Sequence, residues 1–255
     1  METAKIPWYA DENGFYSEDY FDIVNIASVN EMAASQCDFI EKVLQLPKGS
    51  KILDLCCGHG RLSVPLAQRG FDMTGQDINS YFLKIAGEEA LKNGLKINFI
   101  RGDMRQIDFS GHFDAVLNMF TSLGALESDE EDEKVFREVN KALKPGGKFI
   151  VEYVNKDFIF RRFMESDARE IPGGYVRINR FYNHLTSSHR ETYDIYRNDE
   201  LVKHIEIKFR FYALTELIAM LERSGFSVRH VFGGFDDIPV SFDSKSCFIV
   251  SEKTK

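Results

Sequence analysis

Between Lys51 and Val154, short apolar runs alternate with amphipathic stretches of helical period, and this alternation leaves the chain few ways to fold. It predicts strands at Lys51–Cys57, Phe71–Asp77, Ile97–Gly102, Phe113–Met119 and Gly147–Val154. Helices are predicted at Arg61–Arg69, Ser80–Lys92 and Asp129–Leu143. The punctuation agrees. Gly70 ends the first helix, Pro65 stands near its first turn, and Asn93-Gly94 closes the second. Acids open the third helix and Lys141 and Lys144 lie near its end, which suits the helix dipole; Pro145-Gly146-Gly147 reads as its stop. Ala115-Val116-Leu117 is apolar throughout, as in strands covered on both faces. Strands alternating with helices predict an α/β fold with a parallel sheet and right-handed crossovers.

The flanks follow other patterns. Tyr20–Leu46 carries Phe21, Val24, Ile26, Met32, Phe39, Ile40, Val43 and Leu44, which predicts one or two amphipathic helices closed by Pro47. After Asn155, the β-branched and aromatic runs Tyr175–Leu185, His189–Arg197 and Leu201–Tyr212 predict an antiparallel β meander. Thr186-Ser187-Ser188 and Asn198-Asp199 are its turns. The main sheet resumes with a helix at Thr215–Ser224 and strands at Phe226–Phe232 and Ser246–Ser251. The expected organisation is an N-terminal helical lid segment over 1–46, a main domain over 47–155 and 213–255, and an inserted antiparallel substrate cap over 156–212.

Composition narrows the partners. A net charge of −8 argues against a broad phosphate-binding face, so no nucleic acid is expected. Cys37, Cys56, Cys57 and Cys247 form no zinc spacing; no metal is expected, and reduced, packed cysteines are. Glu2, Lys5, Asp11 and Glu12 interrupt any apolar leader, and no run approaches the ~18 apolar residues of a membrane helix. A cytoplasmic location away from membranes is the expectation.

The chemistry is read at Ile52-Leu53-Asp54-Leu55-Cys56-Cys57-Gly58-His59-Gly60-Arg61, where a buried strand turns through glycines into a helix. Ligands of open α/β sheets bind beside such turns. Gly58 and Gly60 let the backbone approach a ligand, and the helix start offers unpaired N–H groups. Two cofactor classes use this geometry. A dinucleotide asks for Gly-x-Gly-x-x-Gly or Ala, and here the third position is Ser63. An adenosyl sulfonium brings no phosphate, and an acid four residues before the first glycine, Asp54, suits its ammonium group.

Asp54-x-Cys56-x-Gly58-x-Gly60 resembles the acid-x-Gly-x-Gly-x-Gly motif of the class I S-adenosylmethionine-dependent methyltransferases, with Cys56 at the first glycine. Leu-Asp-Leu-Cys-Cys-Gly-His-Gly-Arg resembles their small-molecule branch, and the likeness runs over roughly 48–155. It implies a Rossmann-like seven-stranded, mostly parallel sheet, with the N-terminal helices and the inserted meander added to it. It implies S-adenosyl-L-methionine as cofactor, with Asp77 on both ribose hydroxyls and Ile78 beside it. Gly102-Asp103-Met104 would meet the adenine, Asp103 accepting from its amino group and Met104 packing on the ring. Asn118, followed by Met119-Phe120, would line the methionine portion. Cys56, Gly58, Gly60 and Arg61 complete the loop, and Tyr20 is expected to reach the pocket from the N-terminal segment. Lys144-Pro145-Gly146-Gly147-Lys148 resembles a structural turn of the family.

The implied activity is in-line displacement of a methyl group onto an O, N or C atom of a small molecule, which asks the protein for alignment and exclusion of water. No general base is assigned: His59, His184 and His189 read as exposed or packing histidines, and Tyr182 and Arg190 as candidate substrate contacts. Asn118 lacks the Pro-Pro-Tyr that marks DNA or glutamine amide methylation. Two alternatives stand beside this reading. An NAD-dependent oxidoreductase is opposed by Ser63 and Asp103, whereas a non-catalytic cofactor-binding module would keep the same pocket. Monomer and homodimer both fit.

Overall fold

The computed structural model describes residues 6–254; the first five residues of the expected lid segment, Glu2 and Lys5 among them, lie outside the described residues. After a 3₁₀ turn at Trp8–Ala10 come α1 (Asp19–Ile23), α2 (Ile26–Glu31) and α3 (Ala33–Leu44). The alternating region follows as β1 (Lys51–Leu55), α4 (Ser63–Gln68), β2 (Asp72–Asp77), α5 (Ser80–Lys92) and β3 (Asn98–Arg101). It continues through β4 (Phe113–Asn118), α6 (Asp129–Ala142) and β5 (Leu143–Val154). Next are α7 (Lys156–Arg161), β6 (Ser166–Ile171), β7 (Gly174–Asn183), β8 (Ser188–Arg197) and β9 (Glu200–Arg210). The last elements are α8 (Leu214–Arg223), β10 (Phe226–Phe232) and β11 (Ser246–Lys253).

These elements group into two compact units, one of Met32–Arg161 with Tyr212–Lys255, the other of the described residues up to Glu31 with Arg162–Phe211. The larger unit holds the seven-stranded sheet, ordered β10-β11-β5-β4-β1-β2-β3. Only β11 runs antiparallel to its neighbours, β5 and β10. Its inner strands are apolar on both faces because both faces are covered: Ile52, Leu53, Ala115, Val116 and Leu117 are fully buried. On one face Phe39, Ile40 and Leu44 of α3 join Leu66, Met73 and Ile150, each such side chain contributing roughly 2 kcal/mol by leaving water. On the other, Phe136 of α6 meets Phe149, which in turn meets Phe226, with ring centroids 5.9 and 5.5 Å apart.

Caps set the helix starts that matter for the site. The Asn79 side chain accepts the N–H of Phe82 at 3.0 Å and opens α5, and Ser128 opens α6 ahead of four acids. The sequence expects Pro145-Gly146-Gly147 to separate helix from strand, but β5 already begins at Leu143. Leu143 pairs with Phe113 and Lys148 with Ala115, so the four residues between them bulge out opposite Asp114. The Lys144 ammonium lies 2.6 Å from the Asp114 carboxylate and pins that bulge.

The smaller unit is an antiparallel sheet of four strands, β6-β7-β8-β9, one more than the three expected. Alternation gives it one buried face, with Val176, Ile178, Tyr193, Ile195, Ile205 and Ile207. Aromatic residues of the N-terminal segment cover that face: Trp8 packs edge-on against Phe209 at 4.9 Å, and Phe15 meets Tyr193 at a tilt, 5.0 Å between ring centroids. The Lys203 ammonium ties α1 to the sheet through Asp19, at 2.7 Å, and Ser17, at 2.8 Å. The same face buries a polar cluster. Glu191 accepts from Arg180 at 3.0 Å, pairs with His189 Nε2 at 2.9 Å and accepts the Tyr193 hydroxyl. Burial raises the Glu191 carboxyl, but the His189 and Tyr193 hydrogen bonds prevail and hold it below the usual carboxylate range.

Candidate active site

The carboxyl ends of β1, β2, β3 and β4 carry the expected site residues, as the topology of an open α/β sheet requires. After Leu55 the chain leaves β1 and folds over the end of β2, where the N–H groups of Cys56 and Cys57 both donate to the Gln76 carbonyl, at 2.7 and 3.1 Å. Three residues of this loop are left-handed: Cys56 at φ 62°, Gly58 at 55° and Gly60 at 79°. Cys56 therefore occupies a conformation that favours glycine, at a strain of about 1–2 kcal/mol. Gly60 is restricted twice, since a Cβ there would stand 2.9 Å from the Ala86 Cβ on α5. A Cβ at Gly58 would instead project into space whose nearest atom, on Phe82, is 3.9 Å away. At Gly58 the restriction is the backbone conformation and not crowding.

Asp77 joins β2 to this loop. One oxygen accepts the N–H of Gly58 at 2.8 Å and the other the N–H of Asn79 at 2.9 Å. Burial nevertheless raises its pKa, against those backbone donors. Asp54 is buried at the end of β1 and accepts the Ser63 hydroxyl at 2.6 Å. Burial pushes its carboxyl up to about 6, against the Ser63 hydrogen bond and the Arg61 charge. His59 packs edge-on against Phe82, and burial first, then Arg61, lowers it to about 4, so its imidazole is neutral.

The segment after β3 comes to the same place. Gly102 donates to the Asp77 carbonyl at 2.9 Å, and the Gln76 side-chain amide holds the carbonyls of Asp103 and Gln106, both at 3.0 Å. Met104 Sδ lies 3.5 Å from Cys56 Sγ. Asp103 is gripped by Arg105 at 2.6 Å; although burial opposes it, that pairing holds the carboxyl below its ordinary value. At the end of β4 the Asn118 amide donates to the Leu55 carbonyl at 3.1 Å, while its buried Oδ1 has no hydrogen-bond partner among the described residues.

Arg61 points into a buried chain that sequence reasoning missed. Its guanidinium donates to the Gln36 side-chain Oε1, the Gln36 Nε2 donates to Glu152 Oε2 at 3.3 Å, and the N–H of Phe120 donates to that same oxygen at 3.1 Å. Phe120 and Thr121 are consecutive non-glycine residues with left-handed backbone, φ 66° and 57°. Such residues cost ~1–3 kcal/mol each and persist where their surroundings enforce them. Burial raises the Glu152 carboxyl, against the Phe120 N–H and the charge of Arg61.

The structure thus gathers Asp54, Cys56, Gly58, Gly60, Asp77, Gly102, Asp103, Met104 and Asn118 around the ends of four strands, β1 to β4, with Ile78 next to Asp77. Tyr20 belongs to the smaller unit, where it is buried beside Phe15 and Tyr16. Of the histidines, His189 is buried and stacks on Phe211 at 4.6 Å, whereas His184 is exposed. Gln76 and Asn79 were legible only as generic polar residues, and Ser63 only as a misfit to the dinucleotide pattern. Glu152 carried a signal, being an acid inside the otherwise apolar run Phe149–Tyr153.

Among the described residues, no helix is long and apolar enough to cross a membrane, and no group of His, Cys, Asp and Glu could hold a metal. Comparison with known proteins matches residues 52–147 to the family described as "Methyltransferase domain". YqeM of Bacillus subtilis (strain 168) is 28% identical over 215 residues, covering 82% of this chain and 87% of that protein. The CcbJ methyltransferase of Streptomyces caelestis shares the fold at a TM-score of 0.78 and 18% identity, over 88% of this chain and 90% of that one. An S-adenosylmethionine-dependent methyltransferase of Clostridium acetobutylicum ATCC 824 superposes with a TM-score of 0.78 at 16% identity, over 91% and 99% of the two chains.

Proposed function

Since this chain belongs to the class I S-adenosylmethionine-dependent methyltransferases, we propose that its acceptor is a small molecule and that Asp54, Gly58, Gly60, Asp77, Asp103 and Asn118 hold the cofactor. The observation that carries the site assignment is the Asp77–Gly58 contact, which joins the acid of β2 to the glycine loop of β1. Several features of the molecule fit the group. The loop is uncrowded at Gly58, and among the described residues the buried Asn118 Oδ1 has no hydrogen-bond partner. Three carboxylates, Asp54, Asp77 and Asp103, stand at these strand ends. That donor set suits an ammonium and ribose hydroxyls, and it is the wrong sign for a pyrophosphate.

When bound, S-adenosylmethionine supplies a methyl group on a positively charged sulfur, which a nucleophile displaces in line. The residues of this chain orient and enclose. Asp77 fixes Gly58 and Asn79, Gln76 fixes the segment carrying Asp103 and Met104, and Asp54 fixes the start of α4 through Ser63. Catalysis by positioning needs no nucleophile from the protein. Acceptor selection is assigned to the smaller unit, on the ground that the matched domain, 52–147, contains none of it. The net charge of −8 supports an acceptor other than nucleic acid, and the oligomeric reading stays with monomer or homodimer.

The test is calorimetric titration with S-adenosylhomocysteine and, separately, with NADH. The expected result is micromolar binding of the first and none of the second. Binding of NADH alone would overturn the reading.

A further inference from the structure

We propose that Glu152 is a positioning residue of the cofactor site, one buried carboxylate that sets both the loop after β1 and the turn after β4. The proposal rests on the cofactor reading above and on a juxtaposition within the larger unit. Glu152 lies on β5, next to β4 in the sheet, and is 6% exposed. One of its oxygens receives two donors, the Phe120 N–H from the turn after β4 and the Gln36 amide from α3. Gln36, 1% exposed, passes the connection to the Arg61 guanidinium at the end of the glycine loop. Arg61 also lies over the Phe120 ring, 5.7 Å from its centroid, so the two loops meet again outside the carboxylate.

The turn needs such a holder. Phe120 and Thr121 both have left-handed backbone with side chains that disfavour it, and Phe120 is 41% exposed, so apolar burial does not fix it. Three polar contacts with β5 do: Phe120 N–H to Glu152 Oε2, Thr121 N–H to the Glu152 carbonyl at 3.2 Å, and the Val154 N–H to Thr121 Oγ1 at 2.9 Å. Only the first uses a side chain of β5. Asn118, with its unpartnered Oδ1, stands two residues before this turn, so the carboxylate that holds Phe120 also sets the end of β4. A buried acid in an apolar strand costs stability unless it is fully used, and here one of its oxygens joins two loops that bear the site.

The test uses the full chain, with S-adenosylhomocysteine as probe and titration calorimetry as readout. Glu152→Ala is expected to weaken binding about tenfold or more, the loss of the buried acceptor of two hydrogen bonds that order the site. Glu152→Gln keeps an acceptor oxygen for the Phe120 N–H and is expected to recover to within about threefold of the parent. Gln36→Leu cuts the link one residue away; it should weaken binding by itself and add nothing on top of Glu152→Ala. A purely structural role would lower the melting temperature and leave these affinities and their non-additivity untouched, and that result overturns the proposal. Should Glu152→Ala fail to fold, unchanged affinity in Gln36→Leu overturns it equally. A parent protein that does not bind S-adenosylhomocysteine fails the cofactor reading instead, a separate outcome.

Discussion

Asp77 accepts the backbone N–H of Gly58 at 2.8 Å, so an acid at the end of one strand fixes the conformation of the loop that leaves its neighbour. Replacing Asp77 with Ala frees that N–H and the N–H of Asn79 together. S-adenosylhomocysteine affinity is expected to fall by about tenfold or more, because hydrogen bonds to a charged group are the strong ones. Calorimetry on the parent and the Asp77→Ala variant measures it, and equal affinities would count against the site assignment.

Gly60 and Gly94 separate strain from crowding. Both have positive φ, 79° and 65°, but only at Gly60 would a Cβ collide, with Ala86 at 2.9 Å. Gly94→Ala should cost about 1 kcal/mol, and Gly60→Ala about 1–3 kcal/mol more. Urea midpoints of the two variants give the comparison.

Asp54 makes a prediction about pH. Its folded pKa, about 6, lies above the ordinary 3.8, so the native state binds this proton more tightly than the unfolded chain. The stability it contributes is complete below about pH 4 and is lost as pH rises through 6. Asp54→Asn removes the titration. The stability difference between parent and variant should therefore shift by roughly 3 kcal/mol between pH 4 and pH 7, against the parent. Thermal unfolding across that range measures it.

Arg180 supports the buried cluster of the smaller unit. Arg180→Met leaves Glu191 with less compensation for its burial, and about 3 kcal/mol of destabilisation is expected. Because Glu191 is held below its ordinary pKa, its stabilising share is present at neutral pH and lost as pH falls through the folded value. Acid unfolding should thus begin at higher pH in the variant, as followed by circular dichroism.

Cys56 is where the family pattern and this chain part, and the backbone gives the reason for the pattern. At φ 62° a glycine is unstrained and an alanine is not. Cys56→Gly should be more stable than Cys56→Ala by about 1 kcal/mol, read from denaturation midpoints.

Much of the larger unit was legible because its signals are local. The α5 bounds agree from Ser80 to Lys92, where Asn79 caps one end and Asn93-Gly94 the other, and β10 agrees from Phe226 to Phe232. The β6 strand was not legible. Ser166–Ile171 buries only its last residue, so it has no alternation to read; its partner β7 makes it a strand. Pro145-Gly146-Gly147 misled for a related reason, since breaker residues mark a bulge within a strand as readily as an end. At the site, glycines and acids near strand ends were visible. Gln36 was not, and Glu152 showed only as an acid in an apolar run, because their meaning lies in a contact between residues 116 positions apart.

The strand order of the larger sheet also governs when it can be completed. Within that sheet β10 touches only β11, and β11 alone joins it to β5. A nascent chain that has emerged as far as Phe232 therefore holds a strand with no neighbour to pair with in that sheet. The apolar edge of β5 stays bare until Ser246–Lys253 clears the ribosome. Assembly of the sheet is a late, two-strand event, and the interval before it is when this protein is most open to pairing with the wrong neighbour.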